Sequence, residues 1–459
     1  MNNWDINDIF LSLDLKNNFN KNIKVKKIVI DSKKVKKGDL FIAIKGKKFD
    51  GHKFINEALK NGASAVIGEK KKVIAKFPII PVDDTKQSLI NIARFSRERI
   101  KDLVVIGITG STGKTTLKEW MFSVLKSDYR TYCNYGNFNN EIGMPLTLCN
   151  MPLKSQICIL EMGMNNKGEI KRLAKIAKPN VNIITNIGSA HVGNLVNKKS
   201  IAQEKSDIFF FSNPKDSLII PHDDEFYEFL KNKASKKFNL IYSFGKKSAC
   251  SFKYFKSKYI DEIVEFKILD KNYNFQRKIS FNNWEKNIVV ILGLIKILDL
   301  KIKSLKKKIE QLSPIEGRGK LHSIRVNKKK IILIDESYNS SPDSLKKSIE
   351  NLLNFKKIQG RIICIIGDML ELGKNSTKMH IEISETLKKV KPDIVYTVGK
   401  YTINIRKSLP KTIKSLHFMD YKKIYNEILK VLKTNDVIMI KGSNSSKVNL
   451  ISKQLIESD

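Results

Sequence analysis

Residues 107–116 read Gly-Ile-Thr-Gly-Ser-Thr-Gly-Lys-Thr-Thr, and this stretch limits the possible folds more than any other. The apolar run Leu103-Val104-Val105-Ile106 precedes it, and a segment of helical character, 117–126, follows. A strand, a glycine loop and a helix in that order belong to a parallel α/β sheet and form a cradle for phosphate. The glycines let backbone N–H groups approach the oxygens, and the start of the helix adds a partial positive charge. Gly110, Ser111, Thr112, Gly113 and Thr116 are the expected cradle. Lys114 would reach the outer phosphates of a nucleotide, and the Thr115 hydroxyl would hold Mg2+. The strict P-loop has glycine where this chain has Ile108.

Length and composition narrow the class. A chain of 459 residues, 41% of them hydrophobic, can bury the cores of two to four domains. Its longest apolar run, 288–295, falls short of the ~18 residues that a membrane span needs. The opening Met1-Asn2-Asn3-Trp4-Asp5 lacks the basic and apolar regions of a secretory signal. Five cysteines without metal-like spacing fit a reducing compartment, so a cytoplasmic protein without membrane insertion is expected. Lysine and arginine total 85 against 46 acidic residues, a formal charge of +39. That excess could mark a nucleic-acid binder. The lysines are dispersed through every segment and are not interleaved with aromatics along one stripe, so no nucleic-acid partner is expected. A positive field would still attract an anionic nucleotide.

Three α/β units follow from the alternation of apolar runs and helical segments. Residues 1–99 hold short strands near 28–30, 40–44 and 65–67. Residues 100–314 hold the phosphate loop, strands at 157–160 and 181–184, and a more antiparallel excursion over 238–282. Residues 315–459 hold strands at 331–334, 362–366, 394–398 and 437–440. This last unit reads as a Rossmann-like sheet without a dinucleotide fingerprint.

Ligands of open parallel sheets gather at the carboxyl ends of the strands. Glu161 follows one such strand, and Asn186-Ile187-Gly188-Ser189-Ala190-His191 follows the next. Glu161, His191 and the phosphates could share a divalent cation. Lys205 lies on the helix beyond His191, where the default for a lysine is a solvated face.

Taken together, these motifs resemble the Mur ligase family over nearly the full length. The glycine loop is also similar to that of folylpolyglutamate synthases. In the first unit, Asp31-Ser32-Lys33, the run 38–46 and Asp50-Gly51-His52 resemble the family's uridine-nucleotide pocket. Ser32, Lys45, Gly46, Asp50, Gly51 and His52 are its implied contacts, although Lys33 stands where arginine is usual. Phe138-Asn139-Asn140-Glu141-Ile142-Gly143 resembles a signature after the phosphate-loop helix and implies substrate contacts at Asn139 and Asn140. Asp335-Glu336-Ser337-Tyr338-Asn339-Ser340-Ser341-Pro342 carries a Tyr-Asn-x-x-Pro element similar to that of the D-alanyl-D-alanine-adding member.

The resemblance implies an ATP-dependent ligase that uses an acyl phosphate, with UDP-MurNAc-tripeptide and D-alanyl-D-alanine as its substrates. Two Mg2+ ions are implied, with Thr115, Glu161, His191 and a carbamylated Lys205 as ligands. Arg318 would contact the ATP phosphates, Asp335 or Glu336 the ribose, and Asn287 the adenine. Tyr338, Asn339 and Ser340 would lie near the dipeptide. The stretch 282–287 departs from the family pattern, and Trp284 either stacks on adenine or belongs to the core. A monomer is expected.

Overall fold

The computed structural model describes residues 4–19, 22–46, 49–74, 76–189, 197–255, 262–277, 284–356 and 360–458. Three mainly parallel sheets follow one another along the chain, with a two-stranded antiparallel ribbon, Trp4–Asp5 with Lys24–Val25, before them. The first sheet has four parallel strands in chain order, Ile28–Val29, Leu40–Ile42, Ala65–Glu69 and Ile79–Val82. The helix Thr85–Glu98 then packs on the helix Gly143–Cys149 of the next unit. The buried Trp4 ring nitrogen donates to the Cys149 carbonyl across the same boundary.

The second sheet has nine strands with Val104–Thr109 between Val181–Ile184 and Ile157–Glu161, all parallel. Every residue of Ile157–Glu161 and Val181–Ile184 is buried. Such continuously buried, mainly apolar runs suit strands covered on both faces by helices. The antiparallel excursion begins later than 238: Leu240–Gly245 still pairs parallel with Ser217–Pro221. Within it, Ile263–Ile268 pairs antiparallel with Phe252–Tyr254 on one side and Lys271–Gln276 on the other. Ile263–Ile268 alternates exposed and buried residues, the period-two pattern of a strand with one wet face.

The third sheet orders Lys320–Val326, Lys329–Glu336, Val437–Lys441, Ile362–Gly367, Ile394–Val398 and Lys414–Phe418, with an antiparallel first pair and parallel pairing beyond it. The helix Trp284–Ile297, which contains the long apolar run, is buried in the second unit's core. Among the described residues no helix is long and apolar enough to cross a membrane.

Candidate active site

The phosphate loop leaves the strand Val104–Thr109 and enters the helix Lys114–Leu125. Gly110 has φ +148°, and a Cβ there would collide with the Thr185 hydroxyl. Gly113 has φ +83° and opens the helix in the left-handed region. Glycine carries both conformations without the Cβ penalty. The neighbouring strand end clamps the loop: Thr112 N donates to Asn186 Oδ1 (2.9 Å), Ser111 N to the Asn186 carbonyl (3.0 Å) and Thr185 Oγ1 to the Thr112 carbonyl (2.6 Å). Asn186 therefore shapes the cradle, a role its position in the sequence did not specify.

Glu161 ends the adjacent strand and is 2% exposed. Its Oε2 accepts from Thr115 Oγ1 (2.7 Å) and its Oε1 from Asn139 Nδ2 (2.8 Å). Buried oxygens on a strand end beside a phosphate loop fit a hard divalent cation. Asn134 holds this carboxylate in place. It is fully buried, accepts from Glu161 N (2.9 Å) and donates to the carbonyls of Glu161 and Phe138. The buried Lys118 ammonium in turn donates to the Asn134 and Gly136 carbonyls. Neither residue was a sequence candidate, and a lone asparagine at the end of a short strand offered no signal. Asn140 caps the helix Gly143–Cys149 through Gly143 N (2.8 Å).

A cleft of about 500 Å³ joins these groups to the third unit. Ser111 through Thr116, Asn139, Asn140 and Glu161 line one side; Arg318, Glu336, Tyr338, Asn339 and Ser340 line the other. Gly110 is not among the lining residues. The Arg318 guanidinium lies 4.0 Å over the Tyr338 ring. Lys441 Nζ pairs with Glu336 Oε2 (2.9 Å) and donates to the Asn339 carbonyl (3.2 Å), which fixes the Tyr-Asn segment. Asp343, also missed in the sequence, accepts from Ser189 N (2.8 Å) and links the third unit to the segment after the phosphate clamp.

Lys114 is half-buried, and its ammonium donates to the Gly110 carbonyl (2.7 Å). Burial pulls it below the usual lysine value; Glu161 opposes that shift and Arg318 adds to it. Lys205, on the helix Lys198–Ser206, is 1% exposed, not on a solvated face. Burial first, and then the charge of Lys114, push its amine well below the ordinary lysine range. The next residue back, Glu204, caps the helix Glu169–Ala177 through Gly168 N and Ile170 N. His191 lies outside the described residues, as does Asn283.

Other candidates fall away from the cleft. Asp335 is buried, with Oδ2 accepting from Gly317 N (2.9 Å) and Oδ1 from the Ser337 hydroxyl (2.6 Å), so it braces the hinge around Arg318, and it is not among the residues lining the cleft. Of the ribose pair, only Glu336 lines the cleft. Trp284 belongs to the core, with its ring edge against Phe266 (5.8 Å, 61°). Asn287, on the same helix, is buried and lines no part of the cleft.

The six uridine candidates sit in the first unit, also outside the cleft. Ser32 Oγ donates to Glu57 Oε2 (2.6 Å). Lys45 and Asp50 form an isolated bridge, and Gly46 N donates to the Phe49 carbonyl. Gly51 packs so closely on the Ile44 backbone that a Cβ would sit 2.9 Å from its nitrogen and oxygen. His52 Nε2 accepts from Glu69 N (2.9 Å), so its Nδ1 carries the proton donated to Asp50 Oδ1 (2.6 Å). That bond, reinforced by Lys72, holds the Asp50 carboxyl well below the usual carboxylate range.

Three family models cover most of the chain: "Mur ligase family, catalytic domain" over residues 24–97, "Mur ligase middle domain" over 108–293, and "Mur ligase, glutamate ligase domain" over 321–444. A UDP-N-acetylmuramoyl-tripeptide–D-alanyl-D-alanine ligase from Rickettsia prowazekii is 34% identical, over 96% of this chain and 97% of that protein. The chain belongs to the Mur ligase family. Among solved relatives, MurF from Acinetobacter baumannii superimposes with a TM-score of 0.87 at 25% identity, covering 100% of this chain and 99% of that one. MurF ligase from Thermotoga maritima, solved with ADP, gives a TM-score of 0.80 at 29% identity over 95% and 98%. This Mur ligase therefore has the family's three domains throughout, and its cleft lies where the second meets the third.

Proposed function

We infer that this chain joins D-alanyl-D-alanine to the terminal carboxylate of UDP-MurNAc-tripeptide, converting ATP to ADP and phosphate and yielding UDP-MurNAc-pentapeptide for peptidoglycan. The observation that carries this reading is the cleft, where the phosphate loop and Glu161 face Tyr338, Asn339 and Ser340. A carboxylate is a poor electrophile, so the substrate acid first attacks the γ-phosphorus of ATP and displaces ADP. The amine of the dipeptide then attacks the acyl phosphate and expels phosphate through a tetrahedral intermediate. Phosphoryl transfer between anions depends on positioning and charge neutralisation.

Gly110 to Thr116 hold the phosphates in this reading. Lys114 and Arg318 supply fixed positive charge, and Glu336 meets the ribose. Mg2+ would be held by Thr115 and Glu161 and would neutralise phosphate oxygens. A second ion would fall to Glu161, His191 and Lys205 as a carbamate. Burial weakens the hold of the Lys205 amine on its proton, which supports that modification, since CO2 adds to the unprotonated form R–NH2 to give R–NH–COO− and a proton. Residues 1–99, 100–314 and 315–459 are the three domains. Ser32, Lys45, Gly46, Asp50, Gly51 and His52 receive the uridine nucleotide, while Asn139, Asn140 and the Tyr338–Ser340 segment receive the peptides. Asn287 is assigned to the adenine in this reading. A monomer supplies every residue of the cleft, and dependence on ATP places the reaction in the cytoplasm.

Mass spectrometry of the product from UDP-MurNAc-tripeptide, ATP and D-alanyl-D-alanine tests the assignment. The pentapeptide nucleotide is expected, with phosphate release that responds to the dipeptide and not to glutamate, lysine or diaminopimelate. ATP consumption without a lengthened nucleotide-peptide would overturn it.

A further inference from the structure

Away from the cleft, the carboxyl ends of Ser217–Pro221 and Leu240–Gly245 bring three unlike donors together. A ring nitrogen of His222, a carboxylate oxygen of Asp223 and the Cys250 sulfur lie within 4.8 Å of one another. Each of the three is held in place by a hydrogen bond. His222 N donates to the Phe244 carbonyl (2.8 Å) and Cys250 N to the Lys247 carbonyl (3.2 Å). Asp223 Oδ2 accepts from Lys246 N (2.9 Å). The His222 ring stacks on Tyr227 at 4.2 Å.

His222 Nδ1 is buried and has no hydrogen-bond partner among the described residues. A buried polar atom left unsatisfied is costly, so native structures usually supply a partner. No hydrogen-bonding side chain among the described residues supplies one here, whereas a metal ion bound at Nδ1 would. Asp223 is exposed and the other two are half-buried, which leaves an entry path. Imidazole, carboxylate and thiolate together form a borderline-soft donor set. They suit Zn2+ with one open position and do not suit Mg2+.

We propose that His222, Asp223 and Cys250 form a transition-metal site for Zn2+ or an ion of similar softness, separate from the hard-oxygen pair at the phosphates. Binding makes a sulfur–metal bond and releases the thiol proton to solvent, without change of oxidation state. The ion ties the loop after one strand to the turn after the next.

The test is a Co2+ titration of the metal-free full chain in excess Mg2+. One equivalent should bind with a sulfur-to-cobalt charge-transfer band, be displaced by Zn2+ and release protons. Cys250→Ser should abolish the band, Cys133→Ser should leave it, and His222→Ala should weaken binding by more than about tenfold, since even outer-shell changes cost that much. Ligase turnover with Mg2+ alone should survive Cys250→Ser and so report an intact fold. Zn2+ should also protect Cys250 of the unaltered chain from alkylation, read by peptide mass. Absence of the band, its persistence in Cys250→Ser, or unprotected alkylation would each overturn the proposal. None of these outcomes bears on the ligase assignment.

Discussion

Asn134 shows how much a site can depend on one residue that touches no ligand. Its buried amide satisfies both the N–H and the carbonyl of Glu161. Asn134→Ala should cost about 2 kcal/mol or more, because each buried group left unpaired carries roughly 1–3 kcal/mol. Urea unfolding measures that loss. Turnover should fall further than nucleotide affinity, since the carboxylate drifts while the cradle stays. Lys205 gives a second residue-scale prediction with a definite sign in pH. Its folded-state value lies below the ordinary 10.5, so its stabilising share is complete above 10.5 and is lost as pH falls toward the folded value. In CO2-free buffer, Lys205→Met should therefore gain stability over the unaltered chain as pH drops through that window, by at most about 1.4 kcal/mol per pH unit. A flat difference in melting temperature across the window would refute a neutral buried amine. Lys205→Ala should cripple turnover, and short carboxylic acids should restore part of it if a carbamate is the working group; undiminished turnover in that variant rules the carbamate out.

At the scale of elements, the phosphate loop is held by its neighbour as much as by its own glycines. Gly110→Ala places a methyl group against Thr185, whose hydroxyl is committed to the Thr112 carbonyl. The strain, about 1–3 kcal/mol, falls on the loop and should appear as a tenfold or greater loss in kcat/KM for ATP. Gly113→Ala meets open space and should suffer only from its positive φ. The hinge shows the same dependence: Asp335 bonds Gly317 N, and Gly319 N bonds the Asp335 carbonyl, so Arg318 is aimed by a strand that lies beyond it in the chain. The loop and helix could be read from the sequence because spacing alone fixes them. The clamp by Asn186 and the brace by Asp335 could not, because each joins residues that are distant in the chain or adjacent to a more obvious candidate.

At the scale of the whole molecule, the cleft draws its lining from the second and third units, whereas the six uridine candidates lie in the first. Ligands that span such a division favour closure, because they bind the closed arrangement better than the open one. Small-angle scattering should show a smaller radius of gyration with an ATP analogue, the nucleotide-tripeptide and the dipeptide than without them. Superimposable curves would remove the idea. The amino-acid sequence by itself determined the three α/β units, the phosphate loop and the family motifs, because these are written in contiguous residues whose spacing has physical consequences. Only the tertiary structure decided that Trp284 is core, that Lys205 is buried beside a second lysine's field, and that His222, Asp223 and Cys250 meet. Burial and proximity between separate strand ends are set by how sheets stack and order their strands, which no local spacing encodes.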